Sequence, residues 1–290
     1  MKKCVLIFMS LVFLLSGCGI IAEKPEVTPA PEAESQFVFT RENFPVVEGG
    51  AALEPLAESV ASVMLGESRE SVADLLDFGN TGQSYENLMA GRCGLVLAAE
   101  PSQAVMELMV SDSPCALAPV ARDGLVFFVS QSNPVDNLTV DEILKIYTGK
   151  YDSWSDVSGD DVPIKAFTRG EWSGSRAAME NLVMSGAEFA APAADASESV
   201  FDGSEGAIGY SLYHYADIMR MAGDYKILTV EGVRPSNETI ASGEYPLVAN
   251  YCAAISAEAE EDSPERILWA WLQGAEGQKF VALQGYVPAQ

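Results

Sequence analysis

The sequence predicts an α/β fold, and three observations support this. From Phe37 onward, short apolar segments of strand length alternate with segments whose apolar residues recur at helical spacing. The strand-like segments are apolar on both faces, which is typical of a parallel sheet covered by helices on both sides. The chain has 290 residues, 48% of them hydrophobic, enough for one large domain or two lobes.

The predicted elements follow one another in a regular order. Helix starts are indicated by Pro55, which suits the first helical position, and by Thr139, which suits a cap. Helix ends are indicated by Gly91 and Gly149. The strand-like segments are FPVVEGG, GLVLAAEPS, DGLVFFVSQSNPV, PIKAFTR, GAIGYSL, YKILTV and YPLVANYCAAIS. The helical segments are PLAESVASVML, SYENLMAG, TVDEILKIYTG, SRAAMENLVMSG, YHYADIM, SPERILWAWLQ and AEGQKFVALQ.

Charge excludes one large class of partner. The chain carries 17 basic and 42 acidic residues, a net charge of −25. Binding to a phosphate backbone needs a basic surface, so nucleic acid is excluded as a partner. The same charge repels anionic membrane surfaces, so any attachment to a membrane needs another source.

The N-terminus predicts that source. Two lysines precede an apolar run from Val5 to Leu15 that is too short to span a bilayer comfortably, so residues 1–17 are interpreted as a signal peptide. The stretch Leu15-Ser16-Gly17-Cys18 resembles the lipobox of bacterial lipoproteins, which implies that Cys18 is lipidated and anchors an extracytoplasmic protein to the cell membrane. An ordinary signal peptide with a chance cysteine is the alternative. Residues 18–36, rich in Pro, Ala and Glu, predict a flexible tether.

The other cysteines leave two possibilities open. Cys93, Cys115 and Cys252 remain after Cys4 leaves with the signal peptide, and either a Cys93–Cys115 disulfide or buried free thiols fit the pattern. The chain has no CxxC motif and one histidine, so we expect neither a metal site nor a cofactor.

The stretch TRGEWSGSR, residues 168–176, is a candidate anion site. A helix that starts near Ser175 leaves backbone N–H groups unpaired at the positive end of its dipole. Ser173 and Ser175 add hydroxyls, Gly174 permits close approach of a ligand, and Arg169 can hold an oxyanion with two parallel hydrogen bonds. The alternative is a helix cap, with Arg169 paired to a surface acid.

Two other turns have the same character. Glycine-rich turns at 48–52 and 79–82 each follow a predicted strand and precede a helix. Such turns are weak signals singly. Three of them at the carboxyl ends of strands in one α/β protein predict a shared ligand crevice.

The order of motifs resembles that of extracytoplasmic phosphate-binding proteins of ABC transporters. The resemblance covers nearly all of the chain from about Phe44 to Pro288. The segments that carry it are FPVVEGGAALEPLA, SYENLMAG, AAEPS, NPVDNLTVDEILKIYTGKYDSW, RGEWSGS, GAIGYSLYHYA, PSNETIASGEYPL and EGQKFVALQGYVP.

This resemblance implies a type II periplasmic binding protein fold, in which two hinge-linked lobes close around a dehydrated oxyanion. The implied lobes are 37–123 with 248–290, and 124–247. Two long strands, around 124–129 and 247–255, are expected to pass between them as a hinge. The implied partners are phosphate or a similar oxyanion and an ABC permease, and the chain is expected to act as a monomer and not as an enzyme.

Carried over residue by residue, the resemblance is uneven. Arg169 falls on the family's arginine, Ser173, Gly174 and Ser175 fall on its Ser-Gly-Ser/Thr step, and Thr81 falls on a ligand-binding serine. Glu100 lies at or next to the aspartate that accepts the proton of hydrogen phosphate. The first turn departs most, because Gly50, Ala51, Ala52 and Leu53 replace residues with hydroxyls and leave backbone N–H groups as the only donors there.

Two other functions compete with solute capture. The missing hydroxyls at 50–53 favour a sensor or surface binding module with a degenerate site. A hydrolase with Ser173 as nucleophile would need a base within reach. The single histidine, His214, lies in an aromatic segment and is interpreted as a packing residue, which disfavours that chemistry.

Overall fold

A computed structural model describes residues 37–111, 113–190, 203–218 and 225–290. Within this part, residues 38–290 form one compact unit. The predicted signal peptide, Cys18 and the tether lie outside the described residues, so their assignments stay predictions.

The described strands are short, apart from two. They are β1 Val47–Gly50, β2 Leu76–Gly79, β3 Leu95–Ala99, β4 Cys115–Ser130, β5 Asn137–Leu138, β6 Lys165–Ala166, β7 Ala207–Leu212, β8 Tyr225–Ile227, β9 Thr229–Val230, β10 Val248–Ser256 and β11 Val287–Pro288.

Helices connect most of these strands. They are α1 Glu54–Leu65, α2 Arg69–Val72, α3 Thr81–Met89, α4 Gln103–Ser111, α5 Val140–Tyr147, α6 Gly174–Met179, α7 Asn237–Ser242, α8 Pro264–Gln273 and α9 Ala275–Leu283. A 3₁₀ turn at Ala51–Leu53 leads into α1, and a π-helical stretch at Glu180–Met184 extends α6.

The long strand β4 connects two sets of strands. Its first part, up to Gly124, pairs with β10, which in turn pairs with β3 and leads to β1 and β2. Its second part, Leu125–Val129, pairs with β7, which pairs with β6. We call these the first and second strand sets. The strand crosses between the sets at Asp123 and Gly124.

The predicted parallel α/β architecture is correct as an α/β fold, but the prediction of parallel pairing is wrong for part of the sheet. β1, β2 and β3 are parallel, but β10 runs antiparallel to both β3 and β4, and β4 runs antiparallel to β7. The two-sided burial of β4 and β10 resembles that of parallel strands because helices cover both faces of the sheet. The predicted strand YKILTV is interrupted and forms β8 and β9.

Local helix signals are confirmed where they were strong. Thr139 caps α5 in a capping box with Glu142, in which each side chain accepts a hydrogen bond from the other residue's backbone N–H. Gly149 follows with a φ of 71°, which suits a helix stop. The helices α2, α4 and α7 were not predicted.

The adjacent strands β1 and β3 of the first set are buried on both faces, as their apolar sequence requires, whereas β2 at the edge is partly exposed. Every residue of β3 is buried, and Leu53 and Leu56 close the core beneath the 3₁₀ turn and α1. Burial of a leucine side chain contributes about 1.5–3 kcal/mol, so this core holds the cleft-forming turns in place. Cys93, Cys115 and Cys252 are free thiols, so the disulfide alternative does not apply.

Candidate functional site

Three helix starts surround one cavity of about 80 Å³. This volume is several times what a single water needs, and it suits a small polyatomic ion. The residues that line it come from both strand sets: Gly50, Ala51, Ala52, Gly79, Asn80, Thr81, Ala99, Arg169, Ser173, Gly174, Ser175, Leu212, Tyr215 and Tyr251. We call this space the main cavity.

Residues at the three helix starts line this cavity. The residues before the three helical segments, Gly50, Asn80 and Ser173, are extended and make no side-chain cap. The first N–H groups of a helix have no partner within that helix. Because Ser173 does not cap α6, the alternative interpretation of the 168–176 stretch as a simple capped turn is not supported.

Glycines allow the turns to approach one another closely. A Cβ atom at Gly174 would lie 2.7 Å from Ala99 Cβ and 2.9 Å from Thr81 Oγ1. A Cβ atom at Gly50 would lie 2.7 Å from the same Thr81 oxygen. The Thr81 hydroxyl therefore lies between the turn at Gly50 and the turn at Gly174, where only glycine leaves room for it. It is close to both sides of the cavity.

Arg169 reaches the cavity from the second strand set. It lies three residues beyond β6, and its backbone N–H donates a 3.1 Å hydrogen bond to the hydroxyl of the buried Tyr210 on β7. This contact fixes the backbone from which the guanidinium extends. A partly buried guanidinium holds an oxyanion more strongly than one in water, since the local dielectric is lower.

Contacts across the cleft hold its two sides together. The Gly82 N–H donates a 3.0 Å hydrogen bond to the Trp172 carbonyl. The Asn181 side-chain amide donates a 3.0 Å hydrogen bond to the Pro101 carbonyl. Gly82 is also required to be small, because a Cβ there would lie 2.5 Å from Trp172 Cε3. The described conformation is therefore a closed cleft.

The structure does not bring Glu100 to the main cavity. Its carboxylate accepts a 3.1 Å hydrogen bond from the Asn250 side-chain amide, and Glu100 lines a separate space of about 20 Å³. Among the described residues that line the main cavity, none is Asp or Glu. The other predicted contacts, Gly50, Ala51, Thr81, Arg169 and the Ser173–Ser175 step, all line it.

Sequence reasoning missed Tyr251, which lines the cavity from β10. Its hydroxyl donates a 2.5 Å hydrogen bond to Asp123, which also accepts bonds from the backbone N–H groups of Gly124 and His214. Burial raises the pKa of Asp123 to about 6, while these hydrogen bonds oppose the rise. The only sequence signal for Tyr251 was the presence of an aromatic residue with a hydroxyl group in the apolar segment VANYCAA.

His214 is a packing residue, as predicted. It is buried, its ring stacks on Tyr286 at 3.9 Å between centroids, and burial lowers its pKa to about 4. In the described ranges no three His, Cys, Asp or Glu side chains are grouped as a metal site would require. Those ranges also hold no helix long and apolar enough to cross a bilayer.

Residues 47–272 match the PBP superfamily domain, which is well over half of the chain. The chain belongs to the PBP superfamily. The match includes both strand sets and every residue named above as lining the main cavity. The two-lobed α/β architecture of the PBP superfamily accounts for a sheet divided by one long strand and for a cavity between the two parts.

Several relatives and structural neighbours of this chain have names that refer to phosphate binding or transport. The phosphate-binding protein PstS of Bacillus subtilis is 25% identical, over 99% of this chain and 94% of its own. A Clostridium perfringens substrate-binding protein, attributed to a phosphate ABC transporter and solved with bound phosphate, aligns with a TM-score of 0.65 at 23% identity over 84% of this chain and 99% of its own. An ABC-type phosphate transport receptor from Vibrio cholerae aligns with a TM-score of 0.61 at 20% identity over 83% and 98%.

Proposed function

We propose that this chain is a lipid-anchored extracytoplasmic solute-binding protein that captures phosphate or a related oxyanion for an ABC importer. The ligand would bind in the main cavity. The ABC transporter and the phosphate ligand are supported by the names of the relatives, which are a phosphate-binding protein and a phosphate transport receptor.

One observation carries the proposal: three uncapped helical starts and Arg169 converge on a single small cavity. Backbone N–H groups, the hydroxyls of Thr81, Ser173 and Ser175, and a guanidinium are all hydrogen-bond donors to oxygen. A tetrahedral oxyanion satisfies donors that converge from several directions.

Lobe closure provides the binding step. Residues 37–123 with 248–290 would form one lobe and 124–247 the other, with the β4 crossing as part of the hinge. A ligand that touches donors on both lobes binds the closed form more tightly than the open form and shifts the population toward closure. The hydrogen bonds from Gly82 to Trp172 and from Asn181 to Pro101 would then form with the ligand in place.

Local donors must overcome an unfavourable field. The net charge of −25 repels anions at long range. The helix starts and Arg169 act within a few ångströms, where salt and solvent screen them least. We therefore expect capture to depend strongly on Arg169, the predicted contact that carries a full positive charge.

Calorimetry tests this function. Wild-type protein without residues 1–17 should bind phosphate, and Arg169→Ala should weaken binding by about a hundredfold or more, since a charge-assisted bidentate pair is lost. Arg92→Ala is the matched control, because Arg92 is exposed and its side chain, among the described residues, hydrogen-bonds Asn87 on α3. Equal phosphate binding by wild type and Arg169→Ala would reject the assigned site.

The lipid anchor needs its own test. Cys18→Ala expressed in a bacterial host should lose incorporation of labelled fatty acid and leave the membrane fraction. Labelling that persists in this variant would show that Cys18 is not the acylated residue.

A sensor or surface binding module without transport is the second candidate. The first helical start offers Gly50, Ala51 and Ala52, none of which has a hydroxyl. Each hydrogen bond lost to a charged ligand weakens binding by about 1.5–3 kcal/mol. No change in melting temperature with phosphate, sulfate or organic phosphates would favour this candidate over solute capture.

A further inference from the structure

A second cavity of about 110 Å³ adjoins the main cavity. Thr81 and Ser173 line both spaces. We call this second space the side cavity. The remaining residues that line it are Gly82, Tyr85, Pro101, Ser102, Val105, Glu171, Trp172 and Ala177.

The walls of the side cavity are mainly apolar. Val105 and Ala177 present aliphatic groups, and Trp172 contributes an aromatic ring. The hydroxyl of Tyr85 donates a 2.9 Å hydrogen bond to the Ala99 carbonyl, so its ring is what it offers to a ligand. Glu171 adds a negative charge to the lining, which disfavours a second anionic group on anything that enters.

The main cavity has donors for oxygen but no described carboxylate to accept a proton from the ligand. Hydrogen phosphate carries one P–OH group, and that proton would have no charged acceptor. A phosphate monoester has a second pKa near 6, so at neutral pH its three terminal oxygens are bare. Its fourth oxygen carries carbon instead of a proton.

The apolar side cavity and the main cavity without a described carboxylate have one common explanation. We propose that the site prefers a phosphate monoester with one small, uncharged apolar substituent. The three bare oxygens occupy the main cavity on Arg169 and the helix starts, and the substituent passes between Thr81 and Ser173 into the side cavity. This proposal rests on the proposed function, because it assumes that the main cavity binds a tetrahedral oxyanion.

Calorimetry at pH 7.5 with phosphate and with methyl, ethyl and n-propyl phosphate tests it. Each methylene that enters an apolar cavity should tighten binding about fourfold, so n-propyl phosphate should bind about fifteenfold more tightly than methyl phosphate and more tightly than phosphate. Val105→Phe, which fills the side cavity, should abolish this gain and preserve phosphate binding. Val110→Phe is the matched control on the same helix, because Val110 is 74% exposed.

A second variant provides an independent test if Val105→Phe does not fold. Trp172→Ala removes one wall of the side cavity and should reduce the gain from methyl to n-propyl phosphate. If phosphate binds and the monoesters bind no more tightly, or if both variants keep the full gain, the preference for monoesters is overturned while solute capture stands. If neither phosphate nor any monoester binds, the proposed function fails and this inference fails with it.

Discussion

The hydroxyl of Tyr251 donates a 2.5 Å hydrogen bond to Asp123, the residue at which β4 passes from the first strand set to the second. The His214 N–H, which follows β7 in the second set, donates to the same carboxylate at 3.1 Å. Asp123 thus joins both strand sets at the proposed hinge. Through Tyr251 it also contacts the wall of the main cavity.

This carboxylate and the neighbouring imidazole should give opposite pH dependences. Burial raises the pKa of Asp123 from 3.8 to about 6, so its contribution to the free energy of unfolding falls as pH rises from 4 to 6. Burial lowers the pKa of His214 from 6.5 to about 4, so its contribution rises between pH 4 and 6.5. The two contributions largely cancel in the wild type.

The substitution Asp123→Asn removes the pH-dependent contribution of the Asp123 carboxyl group to the free energy of unfolding. Relative to wild type, its free energy of unfolding should rise by about 2 kcal/mol between pH 4 and pH 6, whatever its constant loss from the broken hydrogen bonds. Urea unfolding at several pH values measures this slope. His214→Phe should show the opposite slope, and parallel pH profiles for all three proteins would contradict the assigned environments.

Gly174→Ala should block close approach of the two sides of the cleft. The new Cβ would lie 2.7 Å from Ala99 Cβ and 2.9 Å from Thr81 Oγ1. Overpacking costs about 1–3 kcal/mol, which should weaken phosphate binding by about tenfold or more. Gly170→Ala, at a position with no heavy atom within 4 Å of the new Cβ, is the control and should bind as wild type. Equal affinity for both variants would mean that the closed cleft is not the binding form.

Thr81→Val should weaken phosphate binding by about tenfold to a hundredfold. The substitution keeps the shape of the side chain and removes one hydroxyl donor to a charged ligand. Thr81 is buried at the start of α3, so thermal unfolding of the variant must be compared with wild type. Calorimetry that finds unchanged affinity would place the ligand away from this hydroxyl.

Ala51→Ser should gain affinity. A hydroxyl in the 3₁₀ turn would return a donor that the first helical start lacks, and one such hydrogen bond strengthens binding by about tenfold. Ala90→Ser, at an exposed position after α3, is the control. A loss of affinity in Ala51→Ser would indicate that the ligand lies against the Ala51 methyl group rather than near a donor.

Local sequence signals predicted the parts of the fold that depend on local chemistry. The capping box of α5 and the glycines at 50 and 174 are legible in the sequence, because caps and close approaches require particular residue types. The antiparallel pairing of β10 with β3 and β4 was not predictable, since residues far apart in the chain decide it. Helix α4 was missed although Ser102 precedes a run of apolar residues at helical spacing.

The residues of the candidate site likewise fall into those that the sequence predicts and those that depend on tertiary packing. Arg169, Thr81 and the Ser173–Ser175 step were predicted, because each lies in a turn with its own signal. Tyr215 and Tyr251 reach the main cavity only through tertiary packing. The family resemblance placed Glu100 at or next to the proton-accepting position, but its pairing with Asn250 on β10 directs the carboxylate elsewhere.

A crystal structure of the protein with phosphate would show directly whether the anion binds in the main cavity. We expect one tetrahedral anion in the main cavity, with oxygens within hydrogen-bond distance of the Arg169 guanidinium, the Thr81 hydroxyl and the backbone N–H groups at the start of α6. An empty main cavity at saturating phosphate, or an anion bound elsewhere without contact to Arg169, would contradict it.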